Sequence, residues 1–309
     1  MLRFETTVSQ LDASIRPLDQ RAMAEAIRRW DSIAHPLGSL GLLERDIIQI
    51  AGMTGSADVD LSRRAVVVMC ADNGVVAEGV TQTGQEVTAI VTENMSKGDT
   101  SVCRMAKVAG AEVIPVDIGV AQPVTGERIR QSCVCRGTAN MTQGPAMTRE
   151  EAAKALLTGV SLVEELKKEG YQIFATGEMG IGNTTTASAV VSVLLGKDPL
   201  EVTGRGAGLS TEGLQRKIQA IRTAIAVNQP NPADPLDVLH KVGGLDIAGL
   251  AGVFLGGAIY RVPVLVDGFI SSAAALLAAS FCPLAKDYML GSHASNEPAG
   301  RMMLEALGL

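Results

Sequence analysis

The residues with the clearest capacity for chemistry lie in glycine-rich segments that follow short apolar runs. The richest is Thr176-Gly-Glu-Met-Gly-Ile-Gly-Asn-Thr-Thr-Thr186. Its glycines, Gly177, Gly180 and Gly182, let backbone approach a ligand closely. Asn183 and Thr184 to Thr186 open a helix, whose free N–H groups and dipole favour an anion. The segment is neither a Walker A loop nor a GxGxxG dinucleotide fingerprint. Two uses stay open on these residues alone: a phosphate cradle, or a tight strand-to-helix turn with an N-cap. Glu178 lies inside the turn, where a phosphate would repel its carboxylate. It either points toward a base or a ribose hydroxyl, or it accepts from loop amides.

Other segments add candidates. Thr203-Gly-Arg-Gly-Ala-Gly-Leu-Ser210 is a second glycine-rich loop ahead of a helix. Lys217 falls two turns into that helix, on the flank of a stripe formed by Leu214, Ile218, Ile221 and Ile225; a solvated lysine is the default expectation there. Asp267-Gly268 closes an apolar run, a common place for a functional acid. Gly291 to Pro298 forms a polar loop in which Ser295 or Asn296 can cap the last helix, and in which His293 is either a satisfied loop residue or a ligand contact. The segments 71–79 and 81–86 carry Asp72, Asn73 and Gln85 among apolar pairs, a composition suited to a flat, mostly apolar ligand with a few polar anchors. His35, His240 and His293 are too scattered for a zinc motif. Cys133 and Cys135 form a CxC in the strand-like stretch SCVCRG without a neighbouring histidine, so free thiols are expected and no metal site.

The elements that must position these loops follow from hydrophobic patterning. Continuous β-branched runs at 65–71, 112–117, 171–176 and 261–266 alternate with helical segments. That pattern predicts an α/β fold, with a mostly parallel sheet covered on both faces. In such a sheet ligands bind at the carboxyl ends of the strands, so the loops above converge on one crevice. Thr148-Arg-Glu-Glu151 reads as a capping box, and Gly170 stops that helix. Ser210 caps the next. Residues 228–235 read as a turn-rich insertion. The first sixty residues are helical and polar-faced. The chain divides into an N-terminal helical part (1–60), a large α/β part (61–290), and a loop and helix at 291–309.

Composition narrows the class. The 309 residues carry 27 basic and 33 acidic side chains, net −6, which leaves no basic footprint for nucleic acid. Aromatics are 3% and glycines number 33, so the core is built from small and aliphatic residues. The apolar stretch Gly243 to Tyr260 contains Asp246 and ends at Arg261; it reads as a buried helix and not a membrane span. The mixed polar N-terminus lacks a signal-peptide pattern, and five cysteines without a CxxC fit a reducing cytoplasm.

Taken together the segments resemble the nicotinate-nucleotide:dimethylbenzimidazole phosphoribosyltransferase family of cobalamin biosynthesis. The resemblance runs over nearly the whole chain, through HPLGSLGLLE (35–44), ADNGVVAEGVTQTGQEVTA (71–89), KGDTSVCRMAK (97–107), VDIGV (116–120), RGTANM (136–141), GPAMTREEA (144–152), TGEMGIGNTT (176–185), GRGAGLS (204–210), VGGLDIAGLAG (242–252), VDGFISSAAAL (266–276) and GSHASNEPAG (291–300). The GEMGIGNTT and GSHxSxEPxG blocks in this order are highly specific. One small departure is His35, where family members commonly have lysine.

The resemblance implies a Rossmann-like sheet with a small helical domain, and a homodimer. It also implies a reaction. The phosphoribosyl group of nicotinate mononucleotide moves to 5,6-dimethylbenzimidazole, giving α-ribazole 5′-phosphate and nicotinate, with no metal and no cofactor. Gly177, Gly180, Gly182, Asn183, Thr184, Lys217, Asp267, Gly268 and Ser295 are expected on the nucleotide. Asp72, Asn73 and Gln85 are expected toward the benzimidazole, with Glu178 close to the reacting bases. The family's catalytic glutamate belongs to a GEG[ST]G-like segment past the GSHxSxEPxG block, and the residues to Leu309 do not include it. Two cases follow: either a tail beyond Leu309 carries that glutamate, or the chain ends there, in which case Glu178 is the carboxylate nominated as base and that form is expected to bind both substrates with slowed turnover. Two other readings stay open: a form that binds without turning over, and a transferase for another lower-ligand base.

Overall fold

Ala65 to Ala71 supply an unbroken apolar run, short and rich in valine, that suits a strand buried on both faces, and this run forms the centre of the sheet. The computed structural model describes Val8 and residues 10–309. In chain order the elements are α1 (Gln20–Ser32), α2 (Leu42–Thr54), β1 (Arg64–Ala71), α3 (Glu86–Lys97), α4 (Ser101–Val108), β2 (Ala111–Gly119), β3 (Arg130–Gln131), α5 (Arg149–Lys168), β4 (Ile173–Met179), α6 (Asn183–Leu195), α7 (Pro199–Val202), α8 (Thr211–Asn228), α9 (Pro235–Val242), α10 (Leu245–Tyr260), β5 (Val264–Val266), α11 (Phe269–Phe281), β6 (Met289–Gly291) and α12 (Gly300–Leu307).

The six strands are ordered β3-β2-β1-β4-β5-β6, and every neighbouring pair is parallel. The chain winds outward in one direction through β2 and β3, then in the other through β4, β5 and β6. The switch falls between β1 and β4, where Met69 pairs with Glu178. A crevice for ligands is expected outside the strand ends at that point.

The two faces are covered unequally. One face carries α5, α10 and α11 over the main core, and α10 is buried along nearly its whole length. That helix is the apolar run 243–260, and its glycines explain its position. A Cβ on Gly252 would lie 1.9 Å from the Leu156 carbonyl oxygen of α5, and one on Gly159 would lie 2.1 Å from the Gly249 carbonyl oxygen. The other face carries α3 and α4 over a smaller cluster that includes Val68, Cys70, Met95 and Val120.

The capping box at Thr148 is present, with Glu151 returning to the Thr148 N–H, and Ser210 Oγ accepts from Gly213 N–H as read from the sequence. Two local expectations are corrected. Residues 132–137 form an irregular, bent segment and not a strand; the short strand β3 lies just before them. Neither Ser295 nor Asn296 caps α12, whose N-cap is Ala299; Ser295 Oγ instead accepts from Glu297 N–H at 3.2 Å. Edge strands such as β3 and β6, two and three residues long, are too short to show a period.

The helices α1 and α2 pack together, and they and the segment before them are fastened to the sheet side by polar ties. Gln49 Nε2 donates to the Asp287 carbonyl at 2.9 Å, Arg261 Nε to the Met53 carbonyl at 2.7 Å, and the Tyr288 hydroxyl to the Arg16 carbonyl at 2.8 Å. Among the described residues no helix is long and apolar enough to cross a membrane. The five cysteines are free thiols.

Candidate active site

The switch point is built from four chain segments. The end of β1 delivers Asp72 and Asn73, the end of β4 delivers Glu178 and the Gly180 turn, α6 begins at Asn183, and α10 begins beside them at Leu245. Close backbone approach makes the turn glycine-dependent. A Cβ on Gly180 would lie 2.4 Å from the Ala71 carbonyl oxygen and 2.6 Å from Asp246 Oδ2. Gly182 is the N-cap of α6 and has φ 95°, the left-handed region that favours glycine. The Ile181 N–H is held by Thr88 Oγ1 at 3.1 Å, which fastens the turn to α3.

Glu178 is half-buried, and its Oε2 accepts from Asn183 Nδ2 at 2.5 Å. Burial raises its carboxyl to about 7, helped by the nearby charges of Asp246 and Asp267 and opposed by the Asn183 bond. Asp246 is fully buried in the first turn of α10. Burial raises it to about 6, while the Ile247 N–H at 2.9 Å and Asn73 Nδ2 at 3.4 Å hold it down. No cation forms an ion pair with either acid among the described residues. Two carboxyls near one amide, without a counter-charge, retain protons well above the usual carboxylate range. Such a group is suited to general acid–base work near neutral pH.

Lys217 is fully buried, which corrects the expectation of a solvated lysine. It stands on α8 beside the apolar stripe, in which Ile218 and Ile221 are buried and Leu214 and Ile225 half-buried. Its ammonium donates to Thr184 Oγ1 at 2.8 Å and to the Gly204 carbonyl at 3.2 Å. Burial lowers it to about 8, with Glu297 opposing that shift. The two glycine-rich loops are thus joined through one buried cation at the start of α6. The 203–210 loop is also closed against residues 79–82, where the Gln82 side chain donates to the Gly208 carbonyl and Arg216 Nε to the Gly79 carbonyl at 3.3 Å.

The remaining predicted residues surround this centre. Asp267 is exposed at the end of β5, with its N–H donated to Ser271 Oγ at 3.2 Å, and Gly268 is the N-cap of α11. His293 is exposed and pairs with Ser292 Oγ at 3.0 Å. Gln85 is half-buried and donates to the Asn73 carbonyl at 3.1 Å. Asn73 is fully buried; Asp72 is buried too, and its Oδ2 accepts the Ala121 N–H at 2.8 Å. Burial raises the Asp72 carboxyl. Asp246 is a site residue that motif and spacing do not pick out; the available signal is an acid inside the apolar run 243–260. Among the described residues no cluster of three or more histidine, cysteine or acidic side chains forms a metal site.

Comparison with known proteins places this architecture. A model of a phosphoribosyltransferase family matches residues 15–309. A protein of Clostridium acetobutylicum, named nicotinate-nucleotide–dimethylbenzimidazole phosphoribosyltransferase, is 47% identical over 302 residues, covering 98% of this chain and 86% of its own length. A protein of the same name from Escherichia coli is 48% identical over 299 residues, covering 96% of this chain and 83% of its own length. The crystal structure of CobT from Thermus thermophilus superposes with a TM-score of 0.89 at 41% identity, covering 94% of this chain and 87% of that one. With a family match along nearly the whole chain and a matching fold, the chain belongs to the nicotinate-nucleotide–dimethylbenzimidazole phosphoribosyltransferase family.

Proposed function

We propose that this chain transfers the phosphoribosyl group of nicotinate mononucleotide to 5,6-dimethylbenzimidazole, giving α-ribazole 5′-phosphate and nicotinate. The observation that carries this reading is the buried Lys217 ammonium, held between the first turn of α6 and the 203–210 loop. A cation with one donor left over, beside the N-terminus of a 13-residue helix, supports phosphate anchoring. Gly177, Gly180, Gly182, Asn183 and Thr184 form the cradle in this reading, and Asp267, Gly268 and Ser295 line the ribose side.

The chemistry then asks little of the protein beyond position and one proton acceptor. One benzimidazole nitrogen attacks the anomeric carbon as the bond to the nicotinate nitrogen breaks, and attack from the opposite face turns β into α. The other benzimidazole nitrogen gives up its proton to Glu178, which its surroundings keep basic near pH 7. Asn73 and Gln85 flank the base, while Asp72 acts from beneath by holding the β1 end to Ala121. The half-exposed or exposed apolar residues Ile90, Met105 and Val108 on α3 and α4 support pairing as a homodimer. The division into residues 1–60, 61–290 and 291–309 and a cytoplasmic location complete the reading. Purified protein incubated with nicotinate mononucleotide and a panel of bases tests it: α-ribazole 5′-phosphate and nicotinate in equal amounts are expected with dimethylbenzimidazole, and no nicotinate release with any base would overturn it.

A further inference from the structure

The phosphate reading leaves one charged side chain without a task. Glu297 belongs to the loop ahead of α12, far in sequence from either glycine-rich segment, yet its carboxylate lies on the 203–210 loop. Its Oε1 accepts the Gly206 N–H at 3.0 Å. Its Oε2 packs so closely on Gly204 that a Cβ there would lie 1.9 Å away. The same two residues border Lys217: the ammonium donates to the Gly204 carbonyl, and a Cβ on Gly206 would lie 3.5 Å from Nζ. Glu297 is itself anchored, since its N–H is donated to Ser295 Oγ at 3.2 Å and its carbonyl accepts from Gly300 at 2.8 Å.

Two arginines on these elements are engaged elsewhere. Arg205 donates to the Leu209 carbonyl at 2.7 Å and to Thr211 Oγ1 at 3.1 Å, and Arg216 reaches the Gly79 carbonyl. Thr184 and Gly204, which touch the ammonium, are neutral acceptors. Glu297 is thus the charge whose field reaches Lys217.

We propose that Glu297 is a positioning residue for the phosphoribosyl donor: its carboxylate clasps the 203–210 loop to the 291–300 loop and supplies the counter-charge that keeps Lys217 cationic for the incoming phosphate. This rests on the phosphate role of Lys217 given above. The clasp and the charge are separable. Glutamine retains an oxygen that accepts from Gly206 but carries no charge. Alanine removes both.

The experiment is the dissociation constant of nicotinate mononucleotide, measured by calorimetry from pH 6.5 to 8.5 for wild type, E297Q, E297A and Lys217→Ala. Dividing each variant's value by that of wild type cancels the ligand's own titration. For E297Q the ratio is expected to climb with pH, reaching roughly tenfold at pH 8.5, because a lysine without its counter-charge gives up its proton at lower pH. For E297A a further loss, present at every pH, is expected from the freed loop, with KM raised more than kcat falls. A flat E297Q ratio, at one or at any other value, overturns the counter-charge. An E297A profile that coincides with E297Q overturns the clasp. The phosphate reading fails separately, if wild type does not bind the nucleotide or if Lys217→Ala binds it as well as wild type.

Discussion

Glu178 and Asp246 illustrate how the same side chain acquires different chemistry from its surroundings. Exposed acids such as Asp58 and Asp198 are held below the ordinary carboxylate range by hydrogen bonds with arginine or backbone donors. Glu178, half-buried, and Asp246, fully buried, have no cation beside them and move the other way. A Glu178→Gln variant is expected to bind nicotinate mononucleotide while losing about 10²–10⁴-fold in kcat, the range for a lost general base. If Glu178 accepts the proton, the wild-type rate rises with pH through about 7, as the carboxyl ionises, and this rise is absent from the variant. A pH–rate profile that keeps the same rise in Glu178→Gln would assign the proton to another group. Lys217 offers the complementary test. Lys217→Ala is expected to weaken nucleotide binding by about 1.5–3 kcal/mol, the range for a hydrogen bond to a charged group. Titration calorimetry reads this directly, and unchanged affinity would remove Lys217 from the phosphate site.

At the scale of elements, the site depends on where α10 stands. Its first turn brings Asp246 under the Gly180 turn, and its glycine face lets it lie almost in backbone contact with α5. Gly252→Ala would push a methyl group into the Leu156 carbonyl, which no side-chain rotation relieves. Overpacking of this kind costs about 1–3 kcal/mol or more. The expected outcome is a lower urea midpoint with an unchanged slope, together with reduced activity as Asp246 shifts relative to Glu178. A Gly252→Ala protein as stable as wild type would mean that the two helices separate without cost. By contrast, Gly98 has open space around its Cβ position and serves only its positive φ of 81° at the end of α3.

At the scale of the whole molecule, two acids of the site, Glu178 and Asp246, couple it to global stability. Asp246 rises from 3.8 to about 6 and Glu178 from 4.5 to about 7 on folding. The native state therefore holds more protons than the unfolded chain between about pH 4 and 7, and stability falls as pH rises across that window. The stabilising effect is complete below the unfolded values and is lost as pH passes the folded ones. Asp246→Asn keeps an acceptor for the Ile247 N–H but has no charge to bury. Its Tm relative to wild type is expected to be higher at pH 8 than at pH 4.5, as calorimetry across that range would read. A Tm difference independent of pH would show that folding leaves the Asp246 carboxyl unshifted.

Much of this was legible in the residues themselves. The β-branched runs define β1, β2, β4 and β5, because a strand buried on both faces needs continuous apolar sequence. The capping box at Thr148 and the glycine-rich turn before Asn183 are local chemistry, settled within a few residues of chain. The loops could be assigned to one crevice because parallel strands bring all their carboxyl ends to one edge. What the sequence alone left open was set by neighbours distant in the chain. Lys217 looks like a solvated helical lysine until Thr184 and Gly204 close over it. Asp246 looks like a break in an apolar helix until Asn73 arrives from β1. Glu297 has no visible task until its loop meets Gly206. Local patterning reports secondary structure and the edge on which a site must form, whereas burial and the balance of charge depend on contacts across the sheet that no local window contains.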